Sequence, residues 1–368
     1  MAAYITRRLL LIIPTLFGIM LINFLVIQAA PGGPIENIIS QYAGTGVDAT
    51  VRISGDSQAE VLGQAQIQNS TNVTSKYRGA QGLDPMLIAQ LEAMYGFDLP
   101  LHQRFLKMLG NYLLFDFGES FFQDRSVVDL VKEKMPVSIS LGLWTTLLIY
   151  LISIPLGIVK AIKDGSRFDL YSSAAVVVGN AIPGFLFAIF LIVVFAGGRY
   201  LDWFPLRGLT SANWEELSSP GKIVDYFWHM ALPILSMVIA GFAGLTLLTK
   251  NSFLEEINKQ YVITARAKGL TERRVLIGHV FRNAMLIVIA GFPSAFIGIL
   301  FTGSLLTEII FSLDGLGLLG FEAAINRDYP VMFATVYCFT LLGLIMHLIG
   351  DITYTMVDPR IDFENREV

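Results

Sequence analysis

Residues 9–30 read LLLIIPTLFGIMLINFLVIQAA, twenty-two positions without an ionisable side chain. At about 1.5 Å per residue a helix of that length crosses a hydrocarbon core of about 30 Å. Arg7 and Arg8 precede it, as basic residues precede a signal peptide's apolar run. Such runs are shorter, about 7–15 residues, so a retained first span is expected. Uncharged, mainly apolar runs recur at 137–159, 170–198, 230–249, 283–307 and 329–350. Backbone amides in lipid must be paired within their own segment, which predicts helices. The runs lack the alternation of a membrane barrel. The expected fold is an all-α membrane protein with six transmembrane helices.

The composition agrees. Hydrophobic residues make up 54% and charged residues 15%, and mean hydropathy is +0.60. So few charges cannot cover a soluble chain of 368 residues. A net charge of -4 gives no support to a nucleic-acid partner. The lone Cys338 cannot pair within the chain, and no metal-type Cys/His spacing occurs.

Lys and Arg set the orientation. With the N-terminus inside, segments 1–8, 160–168, 250–282 and 357–368 hold 14 of the 26 cations in 62 residues. The outside segments 31–136, 199–228 and 308–328 hold 12 in 157 residues. Both termini are therefore expected to be cytoplasmic. The chain divides into a first transmembrane helix (1–30), an extracytoplasmic region (31–136), a five-span core (137–357) and a cytoplasmic tail (358–368). Within the outside region, 43–82 is polar and Gly-rich and reads as a flexible insertion. Beyond it, Leu87, Leu91, Met94 and Tyr95, then Phe105, Leu106, Leu109, Tyr112 and Leu113, recur at helical spacing.

Several residues in or beside the spans are candidates for a transport pathway. Pro155, Pro183 and Pro233 each remove a backbone donor, which serves either packing or a hinge. Asn180 lies one turn before Pro183, and Glu308 follows the fifth run. His347 and Asp351 share a helix face, an arrangement open to a proton-coupled or a structural role. Ser304 and His347 sit toward opposite ends of their spans, which argues against a protease pair. Gly315–Gly320 spells GxGxxG but lacks a βαβ context. No GxxxxGK[ST] occurs, so any ATP hydrolysis belongs to another chain. A stand-alone secondary carrier or channel is the alternative, and it predicts an internal repeat that the sequence does not display.

The inside segment 250–282 is the most ordered of the loops. Ser252-Phe253-Leu254-Glu255 has the capping-box pattern. Leu254, Ile257, Tyr261 and Ala265 form an apolar stripe, and Arg266 and Lys268 precede Gly269, a natural residue after a helix end. Thr271 can cap a second helix carrying Arg273, Arg274, His279 and Arg282. These residues alone fit a loop lying on headgroups as well as a docking element.

The stretch from Tyr261 to Leu270, with Arg273-Arg274-Val275 and His279 to Ala284, resembles the coupling loop of ABC importer permeases, specifically the dipeptide and oligopeptide branch. Ile263-Thr264-Ala265 stands where the general motif has Glu-Ala-Ala, and Phe281-Arg282 where it has Leu-Pro; both departures are similar to the peptide branch. Tyr4–Arg8, Ala30–Pro34, Gly96–Pro100, Asp116-Phe117-Gly118, Pro136–Leu141, Phe311–Gly317, Asp328-Tyr329-Pro330 and Asp358-Pro359-Arg360 carry the resemblance along the chain. The insertion at 43–82 is most similar to the YejB-type subfamily, whose transporters take up microcin C and other peptides. The resemblance implies a type I importer fold in the bacterial inner membrane. It implies a homologous second permease, two ATPase domains binding ATP and Mg, and an extracytoplasmic peptide-binding protein, with no cofactor or catalytic residue in this chain. It places Glu255, Ala265, Arg266, Lys268, Gly269, Arg273 and Arg274 in coupling to the ATPase.

Overall fold

The computed structural model describes residues 2–29, 86, 99–123, 125–198, 200–298 and 305–357. The tract 43–82, the stripe Leu87 to Tyr95, Ser304 and the tail 358–368 lie outside the described residues. The regular structure among the described residues is helical, apart from one isolated bridge, Glu119 to Ser126.

In chain order the helices are α1 (Ala2–Ala29), α2 (Leu101–Leu113), α3 (Val127–Ile162), α4 (Arg167–Ala181), α5 (Gly184–Phe195), α6 (Ser219–Ile257), α7 (Gln260–Ala267), α8 (Glu272–Ala284), α9 (Leu286–Gly298), α10 (Leu305–Ile310), α11 (Leu316–Asn326) and α12 (Tyr329–Val357). Among the described residues four helices are each long and apolar enough to span: α1, α3, α6 and α12. Two bent pairs, α4 with α5 and α8 with α9, bring the number to as many as six, by length and composition, when each pair counts as one span.

The third run departs from a single helix. Its two halves meet at 89°, with Ile182 and Pro183 extended between them. Proline cannot donate, and it drives the residue before it out of the helical region, so α4 stops at Ala181. Pro155 and Pro233, by contrast, lie inside unbroken helices.

The chain forms two compact units. One comprises Met1–Leu10, Lys134–Leu318 and Leu341–Val368. Its core joins Leu141 and Ile149 of α3, Ala188 and Leu191 of α5, Met230, Ile234 and Met237 of α6, and Phe311 and Leu313. Within lipid such contacts act through close packing, since tails are as apolar as the side chains they would replace.

The other unit comprises Leu11–Glu133 and Leu319–Thr340. Aromatic rings build it. Phe24 meets Phe105 at 5.3 Å and Phe333 at 6.2 Å, and Tyr112 meets Phe117 at 4.8 Å and Tyr337 at 5.7 Å. Of the stripe expected on α2, Phe105 and Tyr112 are buried while Leu106 and Leu113 are exposed. Burial holds the Tyr112 phenol well above its ordinary range. Asp328 accepts from Ser120 Oγ at 2.5 Å and from the Phe121 amide at 3.2 Å, which ties the 118–126 turn to the start of α12.

Candidate functional site

The 250–282 segment folds as a helical hairpin on the ends of the spans. α6 continues through Ser252, so the capping-box reading is corrected: Ser252 is interior to a helix and donates to the Ala284 carbonyl at 2.7 Å. α6 ends at Ile257, where Asn258 Nδ2 donates back to the Leu254 carbonyl at 2.9 Å. After two residues α7 begins.

The end of α7 is a Schellman turn. Gly269 N donates to the Arg266 carbonyl at 2.9 Å, and Leu270 N to the Ala265 carbonyl at 3.4 Å. Gly269 has φ +80, a conformation that costs other residues about 1–2 kcal/mol. Thr271 takes the cap position of α8 without a side-chain bond. Across the turn the Arg266 guanidinium holds Glu272 with two bonds of 3.0 and 3.1 Å.

The apolar stripe faces inward. Phe253, Val262, Ala265, Val275, Val280 and Ala284 are buried together, with Leu254, Ile257, Tyr261 and Leu270 packed against them. In α8 the five residues Leu276–Val280 are wound as a π-helix, which the periodicity does not foretell. Val275 and Val280 both belong to the core. In an α-helix of 3.6 residues per turn they would point about 140° apart. The wider π turn brings both inward.

Polar contacts lock the base of the hairpin. The Tyr261 hydroxyl donates to Glu256 at 2.5 Å and accepts from Asn283 Nδ2 at 3.1 Å. Burial and the Glu256 carboxylate raise its pKa. Lys259 pairs with Glu256 and, at 3.5 Å, with Glu255, and its hydrogen bond to Glu256 raises its pKa.

The expected coupling residues thus separate by role. Ala265 is buried and Arg266 is spent within the turn. Glu255, Lys268, Gly269, Arg273 and Arg274 are exposed. Lys268, Arg273 and Arg274 have no charged partner among the described residues, so the hairpin presents a rigid, cationic tip.

The pathway candidates differ in their surroundings. Asn180 and Pro183 are exposed at the α4–α5 break. His347 is exposed, and Asp351 accepts from Tyr4 at 2.9 Å and pairs with Arg8 at 3.0 Å. Glu308 is fully buried and accepts from Ser138 Oγ at 3.0 Å and from Leu318 N at 2.7 Å. None of the five lines the apolar crevice of about 400 Å³ between α3, α6 and α9, where Thr146 Oγ1 is buried without a partner.

Comparison with known proteins fits this arrangement of spans and hairpin. The family described as "Binding-protein-dependent transport system inner membrane component" matches residues 153–363, which include the hairpin. The chain belongs to that family. Over its whole length it is 59% identical to the peptidoglycan transport system permease protein YejB of Agrobacterium fabrum, covering 100% of both chains. It is 58% identical to the inner membrane ABC transporter permease protein YejB of Escherichia coli O157:H7, again covering 100% of each. It is 35% identical to the oligopeptide transport system permease protein AppB of Bacillus subtilis, over 99% of this chain and 100% of that one. As an inner membrane permease of this family the chain is a multi-pass transport component, and the stand-alone carrier or channel has no support.

The buried polar clusters escape a reading of the sequence. Ser138 is one of three serines within the run 137–159, with no spacing to mark it. The charge count puts Lys160 in a cytoplasmic loop, but it is an interior residue of α3 and fully buried. A signal is present: Lys160 extends the apolar run 137–159 by one residue, with Ser172 and Ser173 in the next helix.

Proposed function

We propose that this chain is one of two permease subunits of an ATP-driven peptide importer, and that the 258–275 hairpin is its contact with the ATPase. One observation carries the reading: a hairpin anchored by a buried apolar face and presenting at its tip Gly269 and three cations, Lys268, Arg273 and Arg274. A headgroup-lying loop would need cations but no such rigid mounting. The relatives' names, peptidoglycan transport and oligopeptide transport, support peptides as cargo, including peptides released from the cell wall. The YejB-type resemblance adds microcin C.

The partners are a homologous permease, two ATPase domains that bind ATP and Mg, and an extracytoplasmic peptide-binding protein. Closure of the ATPase domains on ATP moves the hairpin. The spans tilt with it and expose the pathway alternately to each side. Pro183, at the break of the third span, is the hinge candidate, and Asn180 beside it can face the cargo.

The test is purification in a gentle detergent followed by reconstitution with a labelled tetrapeptide mixture. The second permease and ATPase should co-purify, and uptake should require ATP. Gly269→Val should abolish uptake with insertion intact, whereas Gly269→Asn should retain it, because Asn tolerates a positive φ. Isolation of the chain alone, with peptide movement that ignores ATP, would overturn the proposal.

A further inference from the structure

Lys160 is fully buried, and a buried ammonium is sustained only by full pairing. Its Nζ reaches Asp169 Oδ1 at 3.0 Å, the Asp169 carbonyl at 3.1 Å, Ser172 Oγ at 2.9 Å and Ser173 Oγ at 2.6 Å. The other oxygen of Asp169 pairs with Lys250 at 2.7 Å, and Lys250 also holds Asp164 at 2.8 Å. Two carboxylates balance two ammonium groups. One carboxylate, Asp169, grips α3 through Lys160 and α6 through Lys250 while belonging to α4.

The place matters more than the pairing. On the orientation given by charge asymmetry, these are the cytoplasmic ends of three spans. α3 and α6 touch closely here: a Cβ on Gly157 would lie 2.8 Å from the Thr246 carbonyl and 2.6 Å from Thr249 Cβ. Lys250 lies about two turns, about 10 Å, before the end of α6, and α7 follows after two residues. Those two turns are fixed to the hairpin by Phe253, packed with Val262, Ala265 and Val275, and to the end of α8 by the Ser252 bond to Ala284. A displacement of the hairpin therefore reaches Lys250, and through Asp169 it reaches α4. At its far end α4 meets the 89° break at Pro183. It is gripped by charge at one end, and at the other the break rests on α6, where a Cβ on Gly184 would lie 3.0 Å from Ala240 Cβ.

We infer that Lys160, Asp169 and Lys250 form a clasp that passes displacement of the hairpin to the broken third span, and are positioning residues for transport. The inference rests on the coupling role proposed above for the hairpin. A buried cluster that merely holds the fold would affect assembly only.

The test uses the purified complex in proteoliposomes with its binding protein, ATP and the labelled tetrapeptide mixture. The readout is peptide imported per ATP hydrolysed. Asp169→Asn should lower that ratio about tenfold or more, with stimulated hydrolysis within about twofold of wild type. Because Asp169→Asn strands Lys160, it can fail to assemble. Asp169→Asn with Lys160→Met removes the buried charge, so assembly should return while the ratio stays low. Asp164→Asn, at the exposed edge, should lower the ratio modestly. A wild-type ratio in the assembled double variant, or import and hydrolysis falling in step, would overturn the clasp. A wild-type complex that imports nothing with ATP would instead overturn the proposed function.

Discussion

At the scale of single residues, Glu308 shows why a candidate pathway carboxylate is a structural one. The first and third amides of α11, Leu316 N and Leu318 N, have no partner within their helix. Ser138 Oγ accepts the former at 2.8 Å and Glu308 the latter, while Ser138 donates to Glu308. The GxGxxG run has a physical role here: a Cβ on Gly315 would overlap the Glu308 carboxyl, so only glycine lets the loop close over that group. Glu308→Gln keeps an acceptor for Leu318 N, whereas Glu308→Leu orphans the buried Ser138 hydroxyl, at about 1–3 kcal/mol, and the part-buried Leu318 amide. The Leu variant should melt clearly below wild type in detergent and the Gln variant close to it. Equal losses would mean that charge, and not hydrogen bonding, holds the loop.

Among elements, the hairpin divides into a face that stabilises it and a face that is free. The Arg266–Glu272 bridge is exposed, and such pairs contribute about 0–1 kcal/mol. Val262 is fully buried under the hairpin, and an aspartate there would be an uncompensated buried charge. Arg266→Ala should leave the hairpin resistant to trypsin, and Val262→Asp should open it to cleavage at Lys268, Arg273 and Arg274. Cleavage of both alike would show that the exposed bridge mounts the hairpin as much as the apolar face does. What is legible in the sequence follows the same division. The stripe Leu254, Ile257, Tyr261 and Ala265 and the turn at Gly269 follow from residues a few positions apart, where local chemistry decides. The π turn of α8 and the start of the loop do not. Ser252 satisfies a carbonyl 32 residues away, and no local pattern reports such a partner. Pro183 is a partial exception: Gly184 follows it, a pair that favours a turn, whereas Pro233 stands between Leu232 and Ile234 and an unbroken helix absorbs it.

For the whole molecule, the orientation rests on where cations lie relative to the spans. Lys160 is one of the fourteen inside cations, yet it is buried and paired, so it no longer counts as a loop charge. The asymmetry survives its removal because residues 250–282 alone carry seven Lys and Arg, six of them beyond Lys250. Those near the surface favour the cytoplasmic side, where translocation of cations is resisted and anionic lipids attract them. The orientation can be read with cysteines, starting from a chain in which Cys338, half-buried in α12, is replaced by serine. Ala212 and Lys268 are both exposed and fall in loops assigned to opposite sides, with α6 between them. In right-side-out vesicles, Ala212→Cys should react with a membrane-impermeant maleimide at once, and Lys268→Cys only after permeabilisation. The reverse order would place the hairpin outside, where no ATPase could reach it, and would remove the physical basis for coupling. Labelling of both before permeabilisation would mean an even number of crossings between them, which would make α6 re-entrant instead of spanning.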